Sequence, residues 1–313
     1  MLTEFALYSD RLFMAAVGVY VLAMVLHGAE YAVQRSAKGV LVGAGGPAVE
    51  TDAPPPDAPP RDGSGPGRAE RYGRMGVSLV VLGAVLQAAS IVLRGLAAQR
   101  WPLGNMYEFT SAICLAAVVA WLVVLRRSPA SRPMGLFVLL PVVILLFLGG
   151  TVLYAPAAPV MPALQSYWLV VHVTTVSIAS GLLMVPGVAS LLFLLRRSGK
   201  LEGFAERLPS ADALDRLAYR ITIIAFPLYT FAIMAGAIWA EAAWGRFWGW
   251  DPKETVAFVA WVIYAAYLHA RATAGWRSGP AAWVNVAGFA AVIFNLFFIN
   301  MVVSGLHSYA GLG

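Results

Sequence analysis

The chain has 313 residues, of which 60% are hydrophobic and only 12% charged, with ten tryptophans and a formal charge of +6. Ordinary globular domains carry about a quarter charged residues, so this composition excludes a water-soluble fold and points to repeated bilayer crossings. The basic excess does not mark a nucleic-acid binder, because Lys and Arg fall in short clusters between apolar runs, where they orient a membrane protein.

The first apolar run, at about 12–33, follows Glu4 and Asp10 and lacks a basic start and a small-residue cleavage site. It reads as a retained helix, so residues 1–34 form the first crossing. Residues 35–74 are dense in Gly, Pro, Ala and Asp, cannot bury a core, and read as a disordered cytoplasmic loop. Seven further apolar runs follow at about 76–93, 109–125, 135–153, 168–195, 221–240, 256–270 and 281–303, making 75–313 a seven-helix domain. A helix of about 20 residues spans the hydrocarbon and satisfies its own backbone. The expected fold is therefore an all-α polytopic membrane protein of about eight transmembrane helices. The Tyr and His content of 256–270 suggests that this run faces the bundle interior.

Alternate connections differ sharply in Lys and Arg, seventeen against five. Basic residues stay on the cytoplasmic side, so both termini and the loops at about 94–108, 154–167 and 241–254 are expected to be extracytoplasmic.

Four of the ten tryptophans, Trp239, Trp244, Trp248 and Trp250, fall within 12 residues of the loop 239–255. An interfacial belt explains single tryptophans, but here Phe247 and the tryptophans alternate with Gly245 and Gly249, as a broad apolar plate would require. Asp251, Pro252 and Glu254 read first as a capping box opening the next helix.

Only four histidines occur, all in or beside apolar runs, where ionisable side chains are costly and mark functional interiors. His172 and His307 fall at the level of the tryptophan loop, and His27 and His269 at matching depth near the opposite face. Two imidazole pairs, the outer one beside aromatic surface, are what two bis-imidazole haem sites need. Each histidine alone is equally compatible with a hydrogen-bonded interior residue, and a proton relay stays open for the inner pair. The single Cys114 provides neither a disulfide nor a thiolate metal site, and zinc lacks a third ligand.

The segment Trp244-Gly-Arg-Phe-Trp-Gly-Trp-Asp-Pro-Lys-Glu-Thr255 closely resembles the WWD signature of the haem-handling proteins that mature c-type cytochromes, in the CcsA/ResC branch of system II. Trp101-Pro-Leu-Gly-Asn105-Met-Tyr107-Glu108-Phe is similar to that family's outer-loop motif, and Trp168-Leu-Val-Val-His172, Gly305-Leu-His307-Ser-Tyr and Tyr267-Leu-His269-Ala-Arg to its histidine contexts. The resemblance implies haem b as cofactor, held outside by His172 and His307 against Trp239, Trp244, Phe247, Trp248, Trp250 and Asp251, and inside by His269 with His27 or a partner's ligand. Arg246 and Lys253 are candidate propionate partners, and Asn105, Tyr107 and Glu108 candidate borders of the outer cavity. It further implies part of a holocytochrome c synthase in the plasma membrane, a ResB/CcsB-type subunit, apocytochrome c, a thioredoxin-like reductase and a CcdA-type carrier. A b-type electron-transfer protein and a CcmC- or CcmF-like haem chaperone are the alternatives.

Overall fold

The structure is a computed structural model and describes residues 1–42, 67–160, 164–199, 207–273, 276 and 279–307. Eight helices are long and apolar enough to cross a membrane, and no strand occurs among the described residues. They are α1 (Leu2–Val42), α2 (Arg68–Ala98), α3 (Met106–Arg127), α4 (Gly135–Thr151), α5 (Tyr167–Arg197), α6 (Ala211–Trp244), α7 (Pro252–Thr273) and α8 (Gly279–Phe294). A five-residue π-turn (Asn295–Ile299) and a closing turn (Asn300–Val302) continue α8. An even number of crossings puts both ends of the bundle at one face, together with the α2–α3, α4–α5 and α6–α7 connections.

The helices reach beyond the apolar runs. Much of the expected 35–74 loop, residues 43–66, lies outside the described residues, but α1 continues to Val42 and α2 begins at Arg68. The extra turn of α2 has a local cause: Glu70 sits in its first turn and accepts from Arg74 at 2.6 Å, one helical turn on. In the same way α6 starts at Ala211, because Ser210 accepts from the Ala213 N–H as an N-cap.

Without a hydrophobic drive between helices in lipid, close backbone approach and polar contacts hold the bundle. Along α2 the small residues Gly73, Gly76 and Gly83 face Glu30, His27 and Tyr20 of α1; a Cβ would clash at Gly73 and Gly83 and be tight against His27 at Gly76. Tyr20 Oη donates to Gln87 Oε1 at 2.8 Å, and Gln87 Nε2 donates to the Ser111 carbonyl at 2.9 Å, linking α1, α2 and α3.

The most buried helix, α5, takes part in two packed groups. The larger core cluster runs from α1 through α5 to α6 and α8, with Phe13, Val118, Trp121, Met184, Leu214 and Ala282; a smaller one joins α5 to α6, α7 and α8 through Leu183, Tyr229, Tyr264 and Val292. The expectation for 256–270 is corrected here. Ala260, Tyr264 and Tyr267 of α7 point inward, but only 17% of its apolar window is buried, so α7 is a peripheral helix with three inward positions.

Candidate functional site

A cavity enclosing about 1220 Å³ of space, its open mouth included, lies between α3, α5, α6, α7 and the end of α8. His172, one turn into α5, and His307, just past α8, both line it. Trp239, buried at 1% exposure, touches both imidazoles: its ring stacks on His172 at 5.9 Å with 8° between planes, and meets His307 at 5.7 Å and 64°. Trp244, 4.8 Å from Trp239, also meets His307, at 5.1 Å.

Each imidazole is oriented through Nδ1. The His172 Nδ1–H donates to the Ala232 carbonyl at 2.8 Å across the α5–α6 contact, and the His307 Nδ1–H donates to Asp251 Oδ2 at 2.8 Å. An Nδ1–H given to an oxygen acceptor is how proteins fix the tautomer and direction of a metal-binding imidazole. Opposite His172 stands Gly236, where a Cβ would come within 2.7 Å of Cε1 and push the ring aside.

Asp251 and Glu254 build the capping box that local spacing predicts: Asp251 Oδ2 accepts from the Lys253 N–H at 3.3 Å, and Glu254 Oε2 accepts from the Asp251 N–H at 3.1 Å. Asp251 does more than cap. It also accepts the Leu306 N–H at 2.7 Å beside His307, tying the end of α8 to the start of α7. Burial pushes its carboxyl up, and the bonds from His307, Leu306 and Lys253 outweigh that, leaving its pKa below the ordinary value.

The tryptophan loop divides its residues between two faces. Gly245 ends α6 in the left-handed region at φ 70°, as a C-terminal glycine does. Phe247 and Trp248 line the cavity. Trp250 does not: it is 65% exposed, with its ring edge-on to Trp248 at 5.7 Å and Phe258 at 6.1 Å. Its backbone carries φ 59°, strained for a residue with a Cβ. Glu254 Oε2 holds that conformation by accepting the N–H of Gly249, at 2.9 Å, as well as that of Asp251. Arg246 lies over Trp244 and pairs with Glu254 at 3.4 Å.

Asn105 lines the cavity and caps α3, accepting from the Glu108 N–H at 2.9 Å. Tyr107 and Glu108 do not border it, which corrects their expected placement. Glu108, 2% exposed, is the hub of an ion network: Arg100 donates to it at 2.7 Å and Arg94 at 3.2 Å, while Arg94 also reaches Asp10 on α1. Tyr107 packs between Phe13, Tyr154 and the Arg94 guanidinium. By holding the Gly104 N–H at 2.7 Å, Glu108 fixes the cavity rim from behind.

The fold does not gather the inner pair. His27 is buried against Trp121 at 5.8 Å, with Nδ1 3.4 Å from Glu30, which in turn pairs with Arg132 at 2.7 Å. His269 is exposed on α7. Among the described residues no cluster of three His, Cys, Asp or Glu side chains suited to a metal ion occurs.

Sequence reasoning missed Arg94 and Arg100, which resemble ordinary orientation charges, Gly236, and the pair Asn295 and Asn300, which line the cavity from the end of α8. None has a local signal, since each gains its role from a distant helix.

Residues 103–307 match the model of a family described as cytochrome C assembly protein. The chain is 35% identical to "Cytochrome c biogenesis protein CcsA" of Parasynechococcus marenigrum, covering 74% of this chain and 85% of that one. It is 31% identical to the protein of the same description from Gloeobacter violaceus, over 72% of this chain and 84% of that one. Among solved structures, "Cytochrome c Heme Lyase CcmF" shares the fold with a TM-score of 0.63 at 17% identity; 94% of this chain is covered, and 46% of that longer chain.

Proposed function

Because this chain belongs to the cytochrome c assembly family, we propose that it handles haem in the maturation of c-type cytochromes, holding the iron between His172 and His307. The observation that carries this reading is the shared cavity: two imidazoles, each oriented through Nδ1 by an oxygen acceptor, line one apolar pocket walled by Trp239 and Trp248. The residues suit the group. Iron porphyrin takes axial imidazoles and needs apolar and aromatic walls, and those walls contribute dispersion and ring stacking.

Haem is the substrate here, and the chain supplies position instead of a nucleophile. His172 and His307 fix the iron, the aromatic walls exclude water, and the exposed loop around Trp250 leaves an edge for the protein that receives it. The acceptor is an apocytochrome c with a Cys-x-x-Cys-His segment. Each thiol adds across a vinyl C=C bond, so that an S–C and a C–H bond form as the S–H and π bonds are lost. The incoming histidine then replaces one axial imidazole.

The seventeen-to-five asymmetry of basic residues supports an extracytoplasmic position for this face, in a plasma membrane on this reading. A ResB/CcsB-type subunit, a thioredoxin-like reductase and a CcdA-type carrier complete the reaction, since Cys114 is buried and no second thiol exists in this chain. A second haem near the inner face, with His269 as ligand, needs a ligand from another chain, because His27 is buried on α1 against Trp121 and Glu30 while His269 is exposed on α7.

The test is maturation of a co-expressed Cys-x-x-Cys-His reporter. His172→Gly and His307→Gly each abolish covalent haem on the reporter, and imidazole in the medium partly restores it. Full maturation by the double variant contradicts the proposal.

A further inference from the structure

The π-turn of α8 gives the cavity a polar corner that the ligation scheme does not use. A π-turn bonds i to i+5 and is favoured at functional sites; here Asn295 and Asn300, five apart, both line the cavity. Lys253 reaches the same corner from the first turn of α7 and donates through Nζ to Asn300 Oδ1 at 2.6 Å. Asn300 Nδ2 donates to the Leu296 carbonyl at 2.6 Å, and Asn295 Nδ2 to the Lys253 carbonyl at 3.3 Å, so both amides are oriented by backbone. Asn295 Oδ1 is buried and has no hydrogen-bond partner.

The Lys253 Nζ is bonded to an amide oxygen, not to an acid. Asp251 is committed to His307 and the Leu306 and Lys253 N–H groups, and Glu254 to Arg246 and the loop N–H groups. Among the described residues no carboxylate forms an ion pair with Lys253. Asp251 acts on the Lys253 ammonium only across space, and a cation in an apolar cavity whose one bonded oxygen is a neutral amide is stabilised by an anion brought in by the ligand. Arg246, the other candidate, already has Glu254 as its counter-charge.

We infer that Lys253, held by Asn300 and Asn295, is the site that receives a carboxylate of the bound porphyrin, and that it sets which way round the macrocycle enters. The inference rests on the haem reading above and assigns the anionic edge of that same ligand.

Full-length protein in detergent is titrated with haem and with haem dimethyl ester, in which both carboxylates are blocked, using wild type, Lys253→Gln and Lys253→Arg. One charge-assisted hydrogen bond corresponds to a factor of about 10 to 100 in affinity. The wild type should prefer haem over the ester by that factor, Lys253→Gln should bind both as weakly as wild type binds the ester, and Lys253→Arg should keep the preference. Equal ester binding by wild type and Lys253→Gln shows that the variant is folded. Equal affinity of wild type for the two porphyrins, or a preference undiminished in Lys253→Gln, overturns the inference alone. Failure of wild type to bind either porphyrin overturns the haem reading with it.

Discussion

Replacing Asp251 by Asn keeps the cap of α7, because a carboxamide oxygen still accepts from the Lys253 N–H, but it exchanges a carboxylate for a neutral group at His307. Loss of such an orienting partner lowers metal affinity by about 10- to 100-fold. Asp251→Asn should therefore weaken haem binding by that factor and, because its one oxygen cannot also accept the Leu306 N–H, lower Tm as well, measured by titration and thermal unfolding of the same preparation; unchanged affinity would show that His307 is oriented by other contacts. The two roles of Asp251 differ in how far the sequence discloses them. Its capping box closes over three residues and is legible from spacing, whereas His307 lies 56 positions away and joins it only when α7 and α8 pack. Trp250 shows the same limit from the other side: composition places it with the other tryptophans, and the φ of 59° that turns it outward depends on the Glu254 carboxylate.

At the scale of the elements, hydropathy finds every crossing but not the ends, because polar first turns such as that of α2 hold together through charges and caps. The π-turn leaves no trace in composition; an extra residue in a helix shows only in where Asn295 and Asn300 point. The α2–α3 corner has the largest local stake. Glu108 accepts from two guanidiniums in a buried setting, and removing one partner of a buried pair costs about 3–5 kcal/mol because the remaining charge stays uncompensated. Glu108→Ala should lower unfolding stability by an amount in that range, read from denaturation in detergent, and should loosen the Leu103–Asn105 rim. A loss below about 1 kcal/mol would mean the network behaves as a solvated surface pair. From sequence, Glu108 shows only its capping position and Arg94 only its charge, since their pairing requires two helices to meet.

For the whole molecule, matching depth in the sequence does not make a pair: His27 is buried on α1 beside Trp121 and Glu30 and His269 is exposed on α7, whereas His172 and His307 line the same cavity. Depth is legible from hydropathy, and lateral position is not. The sidedness proposed from charge can be tested with thiol chemistry, because the natural Cys114 is fully buried and gives little background. Trp250→Cys should be labelled by an impermeant maleimide in intact cells and Arg127→Cys only after permeabilisation; the reverse pattern would invert the orientation. The most direct measurement is the electron paramagnetic resonance and visible spectrum of the purified chain loaded with one equivalent of ferric haem. Ligation by both imidazoles predicts a low-spin, six-coordinate signal in the wild type. It should become high-spin in His172→Gly and in His307→Gly and return to low-spin on adding imidazole. A low-spin signal that persists in both single variants without imidazole would contradict it.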